Sequence, residues 1–356
     1  MPSSRLSMGW TRTSCSSSRT STGSPRRISK IARSTWCMTS PCVARLCLLM
    51  GLRMMIVHTL QMISERSLMC VSCLDIDTAW HLLCLARDHD WSSSRPFVAD
   101  ESGLRVLPGG VWTCRASVTD EVRYLFDSLL PLVARVAPLA IAQLGQSLDG
   151  RIATQSGASH YINGLESRIH LHRLRALVDA VVVGAGTVEA DDPQLNVRHV
   201  QGRHPVRVVL DPRGRLGSAR HVFQSNEAPT LHVVGEDATA TGTFASHVER
   251  IVLPVGQVGF DPRRVLETLS ARGLERVLIE GGGVTISRFL EAGVLNRLHM
   301  LIAPLLIGSG RPGLDLTPIA TLDQALRPRA RTFPCGEDTL FDLLLGADEA
   351  PGAAAH

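Results

Sequence analysis

The chain has 356 residues, enough for two or three domains, and 44% of them are hydrophobic, enough for a sizeable core. Its formal net charge of +4 is spread without clustering, which argues against a dedicated nucleic-acid surface. Beyond residue 75 the only cysteines are Cys84, Cys114 and Cys335, too scattered for a disulfide framework, so a reducing cytoplasm is expected.

Residues 1–74 differ in composition from the rest, with 15 serines, 6 of the 9 cysteines, 8 of the 9 methionines and only two alanines. The Arg- and Ser-rich, acid-poor start resembles a transit peptide. Against that, Lys30 is the single lysine among 37 basic residues, a usage typical of GC-rich bacterial coding. The run "LCLLMGLRMMIVHTLQMI" is apolar in bulk. Arg53, His58 and Gln61 interrupt it, and a central arginine costs about 2.5–3.5 kcal/mol in a bilayer. Without periodicity or capping, the segment reads best as a disordered or misassigned extension. Cys70 and Cys73 form one CxxC with no second pair at zinc-ribbon spacing, so no metal site is expected.

Residues 75–137 read as an accessory segment of unknown role. "DIDTAWHLLCLARD" has helical spacing, "GGVWTCRASV" suggests a short strand, and Thr119-Asp120-Glu121 is a helix start.

From residue 138 to 346 the pattern is that of an α/β domain. Apolar strands are expected at 139–144, 180–183, 206–210, 230–234, 250–253, 276–279 and 298–302, with helices at 165–177 and 263–271 among the connections. Near-continuous apolar strands alternating with helices imply a mostly parallel sheet covered on both faces, with ligands at the carboxyl ends of the strands. Four loops then share that edge: "GQSLDGRIATQSGASHYING", "GAGTVEADDPQLNVR", "DPRGRLG" and "EGGGVTISRFL". Residues 347–356 read as a flexible tail.

Within those loops, "VVVGAG" begins like a dinucleotide fingerprint, but Glu189 stands where the third glycine belongs. Gly281, Gly282 and Gly283 make the better phosphate cradle, because a helix starting near Val284 or Thr285 would aim its free N–H groups at an anion. The strand "VRVVLD" ends in Asp211, the type of residue that binds a ribose 2′-OH. Arg213 and Arg215 follow it and can fork onto a 2′-phosphate while Asp211 pairs back or caps the turn. His170 and His172, at i and i+2 on a helix, do not share a face and are not a metal pair.

Five ordered motifs, "SLDGRIATQSGASHYI", "LHRLRALVDAVVVGAGTVEADDPQLNVR", "RVVLDPRGRL", "VLIEGGG" and "PLLIGSGRPG", together resemble the reductase domain at the C-terminal end of riboflavin-biosynthesis deaminase/reductases. The resemblance implies a dihydrofolate-reductase-like fold and NADPH-dependent reduction of a ribosylaminopyrimidine 5′-phosphate to its ribityl form. It also implies a small-molecule substrate, no nucleic-acid or membrane partner, a cytoplasmic homodimer, and substrate contacts at Ser159, Arg175, Leu195, Arg198 and Glu280. Cofactor contacts are implied at Gly145, Tyr161, Thr187, Asp191 and the stretch from Gly282 to Arg288, and the catalytic residues are expected to be Asp191 and Glu280. Tyr161 takes the place of a cofactor-stacking tryptophan, and Gln143 the place of a lysine in the first strand. No H-x-E with a later P-C-x-x-C is present, so no deaminase activity is expected. Two other readings stay open: a reductase of a related pteridine or flavin-like pathway, and a catalytically silent nucleotide-binding protein.

Overall fold

Residues 73–346, apart from 137, 240 and 241, are described by the structure, a computed structural model. The expectations for residues 1–72 and for the tail from 347 lie outside the described residues. Between 73 and 134 the order is β1 (Cys73–Leu74), α1 (Ile76–Arg87), β2 (Phe97–Ala99), β3 (Leu104–Val106), β4 (Trp112–Thr113), β5 (Ser117–Val118) and α2 (Asp120–Val133). Asp75 caps α1 by accepting from the Thr78 amide, and Thr119 caps α2 by accepting from the Val122 amide, so each helix starts where its cap residue stands. Strand β1 pairs in parallel with β5, and the buried Leu74 joins the core, so the change of composition near residue 74 falls inside a structured element.

The main sheet is built from β6 (Leu139–Ser147), β8 (Ala180–Gly184), β9 (Val206–Asp211), β10 (Thr230–Val234), β11 (Val248–Val252), β12 (Arg276–Glu280), β13 (Arg297–Ala303), β15 (Arg329–Cys335) and β16 (Asp338–Leu344). Its order is β11-β10-β9-β8-β12-β6-β13-β16-β15, parallel from β11 through β13 and antiparallel in the closing hairpin. A small antiparallel pair, β7 (Arg151–Thr154) with β14 (Gly310–Pro312), stands beside it. The connections carry α3 (Leu165–Leu177), α4 (Ala185–Asp191), α5 (His221–Gln224), α6 (Pro262–Ser270) and α7 (Gly283–Glu291).

Both faces of the central strands are buried, which is why their sequences run apolar without alternation. Ile141, Val181, Val183 and Leu278 pack on one face with residues of α1, α2 and α3, among them Leu83, Phe126 and Leu174. Ala142, Val182 and Ile279 pack on the other with Val265 and Leu269 of α6 and Ile286 and Phe289 of α7. The segment 73–134 therefore shares one core with the sheet. Arg87 of α1 fixes this contact at the amino ends of the strands: its Nε donates to Leu177 O at 2.9 Å and its Nη2 meets Asp179 Oδ1 at 2.7 Å. Asp179 in turn accepts from the Arg276 amide at 2.8 Å. No helix among the described residues is long and apolar enough to cross a membrane.

Candidate active site

A cleft of about 1430 Å³ runs along the carboxyl ends of β6, β8, β9 and β12. Two glycine turns meet in it. Gly184 caps α4, whose first residues are Ala185 and Gly186, whereas Gly281, at φ +100°, turns the chain from β12 into α7, which begins at Gly283. A Cβ at Gly184 would stand 2.5 Å from Thr285 Oγ1, and one at Gly281 would stand 2.7 Å from Thr187 Oγ1. Only glycine leaves room for each threonine side chain so close to the opposite turn. Thr187 Oγ1 accepts from the Gly282 amide at 2.8 Å, and the place of a Cβ on Gly283 is taken by the Gly313 carbonyl. Thus the "VVVGAGT", "EGGGVT" and "GSGRPG" segments form one wall. On β6, the place of a Cβ on Gly145 is taken by Asn163, whose amide donates to Leu301 O and Asp338 Oδ2.

Glu280 ends β12 with its side chain buried at the cleft floor, in register with Gln143 on β6. Arg175, projecting from α3, forks onto it: Nε donates to Oε2 at 2.8 Å and Nη2 to Oε1 at 2.5 Å, while Nη1 donates to Asn196 O. The substrate contact implied for Arg175 calls for an open guanidinium; the structure gives one closed on a carboxylate, and Arg175 does not line the cleft. Asp338 accepts from the Gly164 amide at 2.9 Å and from Ser167 Oγ at 2.5 Å, which ties the start of α3 to β16.

At the β9 end, Asp211 turns inward. It accepts from the Leu216 amide at 2.9 Å and faces His232 Nε2 at 3.1 Å, so it caps its own turn. Burial pushes its carboxyl up, and hydrogen bonds from His232 and the loop amides more than offset this, leaving it below the usual carboxylate range. Arg213 and Arg215 both line the cleft; Arg215 pairs with Glu189 at 2.9 Å. The carboxylate at the missing-glycine position is thereby turned to a cation on the neighbouring loop.

Ser159, Gly145, Thr187, Asp191, Glu280 to Thr285, Arg213 and Arg215 thus come together in one cleft. Leu195, Arg198 and Tyr161 do not line it. Leu195 is buried at φ +56°, and Arg198 is bound to Gln194 and Asn196 on its own loop. Tyr161 is 84% exposed, with Arg168 5.9 Å from its ring centroid. His170 and His172 part as their spacing requires: His170 Nε2 meets His299 Nδ1 at 2.9 Å, and His172 Nδ1 accepts from the Arg198 amide. Sequence reasoning missed Asn163, Arg168 and Arg311, which also line the cleft. Arg311 lies within a motif that the resemblance singled out, and that was its only signal.

A parallel sheet with its loops gathered at the carboxyl edge, closed by an antiparallel hairpin and lined by paired glycine turns, makes a mixed α/β fold with one cleft at that edge. The RibD C-terminal domain family matches residues 138–339, and the chain belongs to that family. It is 32% identical over 225 residues to the riboflavin biosynthesis protein RibD of Aquifex aeolicus, covering 62% of each chain. It is 34% identical over 211 residues to the 2,5-diamino-6-ribosylamino-4(3H)-pyrimidinone 5′-phosphate reductase of Methanothermobacter thermautotrophicus, covering 58% of this chain and 97% of that one. Among solved structures it is similar to the diaminohydroxyphosphoribosylaminopyrimidine deaminase/5-amino-6-(5-phosphoribosylamino)uracil reductase of Thermotoga maritima, with a TM-score of 0.51, 26% identity and 65% of each chain covered. The match to the Aquifex protein spans less than two thirds of its length.

Proposed function

We propose that this chain reduces the ribosyl group of a ribosylaminopyrimidine 5′-phosphate to ribityl, with NADPH as the reductant. The observation that carries this reading is the convergence of two glycine turns and the buried Glu280 on one cleft of about 1430 Å³, larger than one small ligand needs. The groups present fit a dinucleotide. No described heavy atom comes within 4 Å of a Cβ placed on Gly186, so the first turn of α4 is open to the cleft, and the N-terminus of α7 offers amides and a positive dipole end to a diphosphate. Thr187 and Asp191 supply a hydroxyl and a carboxylate for the carboxamide and ribose hydroxyls, and Arg213 and Arg215 supply guanidinium forks for a 2′-phosphate.

NADPH, when bound, supplies a hydride; the side chains position and polarise. In the ring-opened substrate the C1′=N bond accepts hydride at C1′ and a proton at nitrogen. Glu280 keeps lone pairs on both oxygens after binding Arg175, so it can accept from sugar hydroxyls and hold the chain extended over the floor. Gln143 beside it brings a neutral amide, which orients by hydrogen bonding and adds no charge at the reacting carbon. Asp191 lies at the cleft edge, where it can pass a proton. Cytoplasmic location and homodimeric assembly belong to the same proposal. Incubation of the purified chain with NADPH and 5-amino-6-(5-phosphoribosylamino)uracil, followed by mass spectrometry, should yield the ribityl product. Unchanged substrate beside a loaded, folded protein would refute the assignment.

A further inference from the structure

We infer that His232 is a specificity-determining residue: by binding Asp211 from behind, it withholds the carboxylate that ends β9 from the cofactor and leaves the cleft side of that turn to arginine. The inference rests on the functional reading above and deepens it at a residue that does not line the cleft.

A carboxylate ending a strand of a parallel sheet is the group that binds a ribose 2′-OH, and beside a 2′-phosphate it would repel. Asp211 stands at such a place and borders the cleft, yet it is fully buried. The register sets Val209 against His232 and Asp211 against Val234, so His232 and Asp211 share one face of the sheet. An ionised carboxylate can only accept, so His232 Nε2 donates to Asp211 Oδ2 at 3.1 Å, beside the Leu216 amide at 2.9 Å. His232 is held in turn by the rings of Phe223 on α5 and Phe244, whose centroids lie 4.8 and 5.2 Å from its own.

Stability alone does not account for this pair. His232 Nδ1 and Asp211 Oδ1 are both buried without a partner, and each such atom costs free energy. An apolar side chain between two phenylalanines would fill the same space without that cost, as it does where buried ion pairs are replaced elsewhere. What the pair provides is a fixed position for a charge. With the carboxylate drawn in, the turn closes through the Gly214 amide on Asp211 O at 2.9 Å, and the side chains it presents to the cleft are Arg213 and Arg215. Arg215 is steadied by Glu189 at 2.9 Å. Glu236 and Asp237, the other acids on this side of the cleft, follow β10 instead.

The test is calorimetry on the whole chain with two probes that lack the nicotinamide, 2′-phospho-ADP-ribose and ADP-ribose, reading the ratio of their affinities. His232→Phe keeps the aromatic packing and removes the donor, and the released carboxylate should lower the preference for the 2′-phosphorylated probe roughly tenfold. His232→Gln keeps an N–H at the ε position and should keep the wild-type ratio. An unmoved ratio in the phenylalanine variant, equal weakening of both probes, or the same fall in the glutamine variant overturns the inference. Asp211→Asn decides it even where the phenylalanine variant does not fold. Removing a withheld carboxylate should leave the affinity for ADP-ribose within about twofold of the wild type. A larger fall would show that Asp211 already serves the ribose hydroxyl, which also overturns it, as does a wild type without preference for the 2′-phosphorylated probe. A wild type that shows the preference but reduces no phosphoribosylaminouracil removes the functional reading alone, and the same affinity ratios still decide the role of His232.

Discussion

Arg175 commits three of its nitrogens inside the protein, and its pair with Glu280 is almost out of water, at 7% and 11% side-chain exposure. Removing one partner of such a pair leaves a buried, uncompensated charge, which costs about 3–5 kcal/mol. Arg175→Ala should therefore lower the unfolding free energy by that amount, read as a lower denaturation midpoint at constant m-value, whereas Arg198→Ala, on an exposed loop, should cost roughly 0.5 kcal/mol or less. Equal, small losses would mean that the Arg175 fork is open in solution. Arg213 and Arg215 give a second contrast at this scale. Asp211 caps its own turn and faces His232, and in the proposed reading cofactor choice falls to the two arginines. Replacing both by alanine should reduce kcat/KM for NADPH by roughly tenfold to a hundredfold and leave that for NADH nearly unchanged. An equal loss with both cofactors would move the 2′-phosphate elsewhere.

Helices α1 and α2 cover one face of the sheet, and their sequences announce this only in part. Amphipathic spacing and the caps Asp75 and Thr119 mark two helices, but nothing local says what they cover. The answer lies in distant contacts such as Trp80 Nε1 to Gln201 O, 121 residues away. Phe126 of α2 is fully buried, with Trp112 edge-on at 5.1 Å. Its replacement by alanine should cost about 3–5 kcal/mol, and a chain cut to residues 138–346 should lose cooperative unfolding. A cooperative transition in the shortened chain would show the segment to be dispensable. Helix α3 meets the sheet through His170, which faces His299 on β13, Arg173 on its own helix and Asp342 on β16. Burial first, then the neighbouring His299, holds its pKa well below the ordinary 6.5. The unfolded chain then takes up the proton first, so the stabilisation is complete above about pH 6.5 and falls as the pH drops below it, by up to roughly 1.4 kcal/mol per unit. Replacing His170 by glutamine should flatten the fall in denaturation midpoint between about pH 6 and pH 5 by one proton's worth. An unchanged slope would mean that His170 titrates normally in the fold.

For the molecule as a whole, the sheet was legible because strands buried on both faces are written as apolar runs, and the ligand edge followed from their direction. The glycine turns and Glu280 were legible for the same reason, since each directly follows a strand. The Arg175–Glu280 pair was not. A guanidinium fork suits a phosphate and a carboxylate alike, and only the folded chain brings together residues 105 positions apart. Arg311 was hidden differently, on a two-stranded flap whose pairing with β7 has no local signature. The central claim is that these loops together direct hydride to a sugar carbon. Its most direct test is turnover of the phosphoribosylaminouracil with NADPH deuterated at the transferable position, with the product read by NMR. The account predicts one deuterium at C1′ of the ribityl chain; deuterium on the pyrimidine ring, or none in any product, would contradict it.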